Sequence, residues 1–173
     1  PGSGFALLPV DGTLDSTSEN VYGLIPLSQV RVKANGTYQV YVRGKDDAGN
    51  WGALFAVSLV VDKTAPTLGA LSASPNPTAG AANLTLTAPV TGDTSFQTAE
   101  LWTGTTDPGV GKATRVNVGY VNGSAVVTVP LAGYPSGSRQ FNLRVQDMAG
   151  NWSNAASTTV TVSSAGLLSD SFE

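Results

Sequence analysis

A chain of 173 residues with 9 Lys and Arg against 12 Asp and Glu carries a net charge of −3, and its cations are spread singly. No basic patch exists to neutralise phosphates, so nucleic acid is set aside as a partner. Cys and His are both absent, which excludes disulfides and thiolate metal sites and removes the commonest general base and metal ligand. The charged fraction is 12%, well below the usual quarter or so, and Thr, Ser, Asn and Gly stand in its place. β-branched residues suit a pleated surface and Gly, Asn and Pro punctuate turns, so the expected class is all-β. The longest apolar stretch, 54–61, is broken by Ser58 and falls far short of the ~20 residues a membrane helix needs. No signal-peptide pattern opens the chain, so export would use a leader upstream of Pro1.

In chain order, the first periodic segment has Val40 and Val42 alternating with Tyr41 and Arg43, a period of two that predicts a strand. The turn Asp46-Asp47-Ala48-Gly49-Asn50 and a second strand over 53–61 follow. In the turn, Asp can accept backbone N–H bonds and Gly tolerates positive φ, which together make a hairpin. Lys63-Thr64-Ala65-Pro66-Thr67 is then a short junction whose proline restricts hinge freedom, so a rigid, end-to-end arrangement is expected. Beyond it the chain offers strands over 68–72, 82–88, 99–103, 113–120 and 124–130, punctuated by Gly, Pro and Asn. A last hairpin has Phe141, Leu143 and Val145 facing inward against Asn142, Arg144 and Gln146, and Val160 and Val162 facing inward against Thr159 and Thr161.

The two hairpins are copies of one another. Residues 36–51 align without gaps to 137–152, sharing Gly, Gln, Arg, Asp and the run Ala-Gly-Asn-Trp. Upstream, Pro1-Gly2-Ser3-Gly4 matches Pro108-Gly109-Val110-Gly111. Seven strands at sandwich spacing make 64–163 a complete Greek-key β-sandwich. Residues 1–63 read as the C-terminal part of a second one, with nothing corresponding to 67–107, and 164–173 as a linker or tail. The missing strands are expected from an upstream part of the same protein or from a neighbouring subunit.

The Asp107-Pro108-Gly109-Val110-Gly111 element and the segment Val42–Trp51 resemble bacterial Ig-like or fibronectin-III-like repeats of large extracellular proteins. The resemblance implies tandem immunoglobulin-like β-sandwiches at the cell surface or outside the cell, without catalysis, serving as stalk, sheath or filament. An alternative it also implies is an accessory carbohydrate- or surface-binding module of a secreted hydrolase. The second copy departs from the first, reading Leu-Arg-Val-Gln-Asp-Met where the first has Val-Arg-Gly-Lys-Asp-Asp. An acidic pair is therefore not common to both.

Candidate chemistry is sparse. Asp46, Asp47 and Asn50, with Asp147 and Asn151, are candidates for calcium at the hairpin tips. Calcium takes six to eight oxygens and each turn offers few, so turn capping is the stronger reading and no cofactor is required. Trp102 and Tyr120 are candidates for stacking on sugars if they share an exposed face, whereas Trp51 and Trp152 sit at equivalent positions, which suits a structural role. Without His, no Ser or Thr has a base at recognisable spacing, and nothing selects a carboxylate pair for glycoside cleavage. Asn35, Asn83, Asn122 and Asn151 open formal glycosylation sequons. Pro1 occupies the position of Pro108, which follows Asp107, so Pro1 is a candidate processing site at a cleaved Asp–Pro bond.

Overall fold

The computed structural model describes residues 4–26, 28, 29 and 33–163. Pro1 and the 164–173 tail lie outside the described residues. The chain divides into two compact units, Pro1–Asp62 and Lys63–Glu173. Strand is the dominant secondary structure in both, and the fold is all-β.

In the first unit β1 (Leu8–Pro9) pairs antiparallel with β2 (Val21–Tyr22). The loop between them, which sequence periodicity does not signal, is tied by its own carboxylates. Glu19 accepts from the backbone N–H of Asp15 and Ser16 at 3.2 and 2.7 Å, and Asp11 accepts from that of Thr13 at 3.2 Å. The hairpin predicted from the alternating valines is β3 (Gly36–Val42) against β4 (Phe55–Val61). Its register sets Val40 opposite Val57 and Val42 opposite Phe55, all on one face.

The second unit is a sandwich of two sheets. β5 (Thr67–Leu68), β6 (Ser72–Ser74), β7 (Asn83–Thr91), β10 (Gly119–Val121) and β11 (Ser124–Pro130) form one, with β7 at its centre. The other runs in the order β13 (Ala156–Val162), β12 (Gly137–Asp147), β8 (Phe96–Thr103), β9 (Thr114–Val116). The chain crosses between sheets from β7 to β8, from β9 to β10 and from β11 to β12, the Greek-key path of an immunoglobulin-like or fibronectin-III-like sandwich. Period-two patterning fills the space between. Leu84, Leu86 and Ala88 from β7 and Ala125, Val127 and Val129 from β11 meet Ala99 and Leu101 from β8 and Phe141, Leu143 and Val145 from β12. Val160 and Val162 close the core from β13, and the Tyr134 ring leans on Phe141 at 5.4 Å.

Two strand assignments need correction. The span 113–120 is two strands in different sheets, since β9 pairs with β8 and β10 pairs with β11. Asn117 and Val118 carry the crossing. The span 68–72 is likewise interrupted. Leu68 faces Val90 and Ser72 faces Thr87, so three residues bulge against two. Pro89 sits opposite the break; it has no N–H to give the ladder and only accepts, from Gly69 at 2.8 Å.

The outer edge of β13 is covered. Asn76 donates to Thr159 O and accepts from Thr161 N–H, at 2.9 and 3.0 Å, while Thr78 N–H reaches Thr161 O at 3.0 Å. A covered edge cannot template the addition of a further strand.

Candidate functional site

The hairpin tips come first because the sequence proposed them for calcium. At the second tip Asp147 Oδ1 accepts from the Asn151 backbone N–H at 2.8 Å and Oδ2 from the Asn151 side-chain amide at 2.8 Å. Asp46 and Asn50 repeat both bonds at 2.7 and 3.0 Å. Gly49 and Gly150 hold the bend at φ of 93° and 95°, where a side chain would be strained. Both oxygens of each Asp are thus engaged by the turn itself. The Asn50 side-chain amide, with the Asn50 backbone N–H behind it, holds the Asp46 carboxyl below the ordinary range. Asp47 lies beside this cap in the first copy, and Met148 takes its place in the second.

The strongest constellation in the second unit was not among the sequence candidates. Strand alternation sends Asn142 and Arg144 to the outer face of β12, yet they are only 5% and 3% exposed. Alternation alone does not bury this face; the chain after β8 folds over it. Arg144 Nε lies 2.7 Å from Glu100 Oε2, and Nη1 lies 3.1 and 3.2 Å from the two Asp107 oxygens. Nη2 donates to the Gly109 carbonyl. The Glu100 carboxylate also accepts from Gly111 N–H at 3.2 Å, and Asp107 from Gly109 N–H at 2.8 Å. The guanidinium lies 4.6 Å from the Trp102 ring centre and 6.0 Å from that of Trp152. The Asp-Pro-Gly-x-Gly element and the Arg…Asp-x-Ala-Gly-Asn-Trp element are therefore two halves of one lock. A signal was in the sequence: Pro-Gly-x-Gly and Arg…Asp-x-Ala-Gly-Asn-Trp both recur in the two copies, and Asp107 precedes the second Pro-Gly-x-Gly with a charge opposite to that of Arg144. Asp107 belongs to this lock.

The aromatic candidates are not brought together. Trp102 stands on β8, half-buried, with Arg144 against its ring, and it borders an open depression of about 350 Å³ lined also by Pro108, Lys112, Thr114 and Tyr134. Tyr120 stands on β10 in the opposite sheet and meets Phe96 edge-on at 5.9 Å. Trp51 lies under Arg43 at 4.4 Å, and Trp152 bridges to Gln146 as Trp51 does to Lys45. Among the described residues, no helix is long and apolar enough to cross a membrane.

No protein-family model and no curated protein matches the chain. Among solved structures it is similar to the fibronectin(III)-like modules of CbhA from Clostridium thermocellum, at 15% identity and a TM-score of 0.48, over 78% of this chain and 66% of that one. The chain thus spans just under two thirds of that structure's length.

Proposed function

We propose that the chain is a non-catalytic structural module of an extracellular or cell-surface protein, a spacer of the stalk, sheath or filament kind. The observation that supports this reading is the Arg144 lock. The side chains best suited to chemistry in the second unit, Arg144, Glu100, Asp107 and Asp147, are engaged with one another or with backbone N–H groups. Such groups hold shape and leave little to act on a substrate. A composition free of Cys and rich in Thr, Ser and Gly suits a module that works outside the cell. The accessory-module alternative called for Trp102 and Tyr120 on one exposed face, and they lie on opposite sheets.

Affinity electrophoresis of the whole chain through gels containing cellulose derivatives, xylan or chitosan tests the proposal. Unretarded migration is expected for the chain and for Trp102→Ala alike. Retardation that disappears in Trp102→Ala would replace the spacer with a polysaccharide-binding module.

A further inference from the structure

The segment that covers β13 lies outside both sheets, yet it is bonded to that strand residue by residue. The bonds climb both segments together. Asn76 meets Thr159 and Thr161, Thr78 meets Thr161 and Ser163, and Gly80 N–H reaches Ser163 O at 3.0 Å. The two therefore run parallel. Side-chain oxygens stand in for main-chain carbonyls along this pairing. Asn76 Oδ1 accepts from Thr161 N–H at 3.0 Å, and Thr78 Oγ1 accepts from Ser163 N–H at 2.8 Å while donating to Ser163 O at 3.2 Å. Ser163 Oγ accepts in turn from Ala79 N–H at 3.2 Å. The reason is local: Pro77 has no N–H and Ala79 turns at φ 47°, so the backbone of 76–80 cannot offer a regular ladder. Thr78 is 1% exposed, which shelters the central bonds from water.

The start of the same strand holds the chain where it enters the second unit. Leu68 N–H donates to Asn154 Oδ1 at 2.9 Å, and the Asn154 amide donates to Leu68 O at 3.0 Å. Entry at Leu68 thus lies beside the start of β13, and exit at Ser163 follows its end. Tension between entry and exit runs along β13, pulling 68–80 one way and the strand the other. Bonds between neighbouring strands lie across that direction, so those on 76–80 are loaded together. Bonds that must fail together resist more than the same bonds peeled one at a time.

We infer that 76–80 and the end of β13 form a mechanical clamp, the element that sets how much tension the second unit bears before it unfolds. The inference deepens the spacer reading and rests on it for the presence of tension. Thr78 is the centre of the clamp, because its hydroxyl closes a ring with both main-chain groups of Ser163. Asn76 is the second point, holding Thr159 and Thr161 through one amide.

Optical-tweezers pulling of the whole chain tests this, with handles on cysteines added to a sequence that has none. One pair of handles sits at the two chain ends. The other joins Ala132→Cys to the C-terminal end; Ala132 precedes β12, whose Gly137 faces Val162, so this pair peels β13 from its end. Unfolding of the second unit is recognised by the length released, at most about 3.6 Å per residue. The end-to-end rupture force is expected to be several times the peeling force. Asn76→Ala and Thr78→Val should each hasten end-to-end unfolding about tenfold at fixed load, through the hydrogen bonds they remove. Phe141→Ala should lower stability in urea more than either, and the end-to-end force less than either. Asn76 is exposed, so its variant carries the test even where Thr78→Val folds poorly. Equal forces in the two directions would overturn the inference, as would forces that simply follow urea stability across the variants. A strong clamp in a chain retarded by polysaccharide would remove the spacer reading alone; weak rupture without retardation would remove the clamp alone.

Discussion

The two hairpins, β3–β4 and β12–β13, share register, turn and cap hydrogen bonds, yet one lies at the heart of a sandwich and the other presents its apolar face to solvent. The cap bonds of Asp46 and Asp147 differ by no more than 0.2 Å. The comparison separates two causes that are usually confounded. Local sequence is sufficient to set the turn and the pairing, because every bond involved spans few residues or follows from the pairing. Burial is set elsewhere, by the strands that lie across the hairpin and along its edge.

The largest expected break in the comparison is in the core. Phe141→Ala should destabilise the second unit by about 3–5 kcal/mol through lost contacts and the cavity left behind. Val40→Ala, at the equivalent position, should cost less than about 1 kcal/mol, because a half-buried side chain leaves no enclosed void. Native-state hydrogen exchange at Leu84 and Leu86 for the one, and at Val57 and Leu59 for the other, reads the two directly. If the losses were equal, both hairpins would be buried to the same degree.

Next is the lock. Glu100→Ala should cost about 3 kcal/mol, since it leaves the Arg144 guanidinium buried beside the single, half-exposed Asp107 carboxylate. Arg43→Ala should change stability by less than about 1 kcal/mol, as the loss of an exposed cation–π contact does. Urea midpoints with unchanged slopes would measure the difference. At the turn, Asp147→Ala should cost about 2 kcal/mol, because its carboxylate is buried and accepts two hydrogen bonds.

The smallest effect separates the two caps by pH. Asp46 has its carboxyl held below the ordinary range, with the Asn50 side-chain amide the leading cause. A depressed value means that the cap's contribution is complete above the ordinary aspartate value of about 4 and is lost as pH falls through the lowered one. Carbon-detected NMR titration of the Asp46 carboxyl should show a midpoint below that of an unstructured aspartate. Asn50→Ala should return the midpoint towards it.

Much of this was legible in the sequence. Phe141, Leu143 and Val145 announce a buried face because apolar and polar residues alternate at the strand period. The turn announces itself through residue types that each have one conformational use. What could not be read has a common origin in distance. Arg144 looks like a solvent-facing residue until Glu100 and Asp107 arrive from 44 and 37 positions upstream, and a local pattern carries no record of them. The division of 113–120 between two sheets is of the same kind. β9 and β10 are assigned by their separate partners, β8 and β11, rather than by anything within the span.

The Asp-x-Ala-Gly-Asn cap is closed by bonds between residues no more than four apart. Such a loop can close within about 100 ns, long before the sheets meet. The Arg144 lock must wait until β8 has found β12. Folding of the second unit is thus ordered, with the turn early and the lock late. Substitution of Gly150 should slow folding, and Glu100→Ala should mainly hasten unfolding. The same arginine that gives the module its shape is therefore also its latch against time: it governs how long a folded copy lasts rather than how quickly one is made.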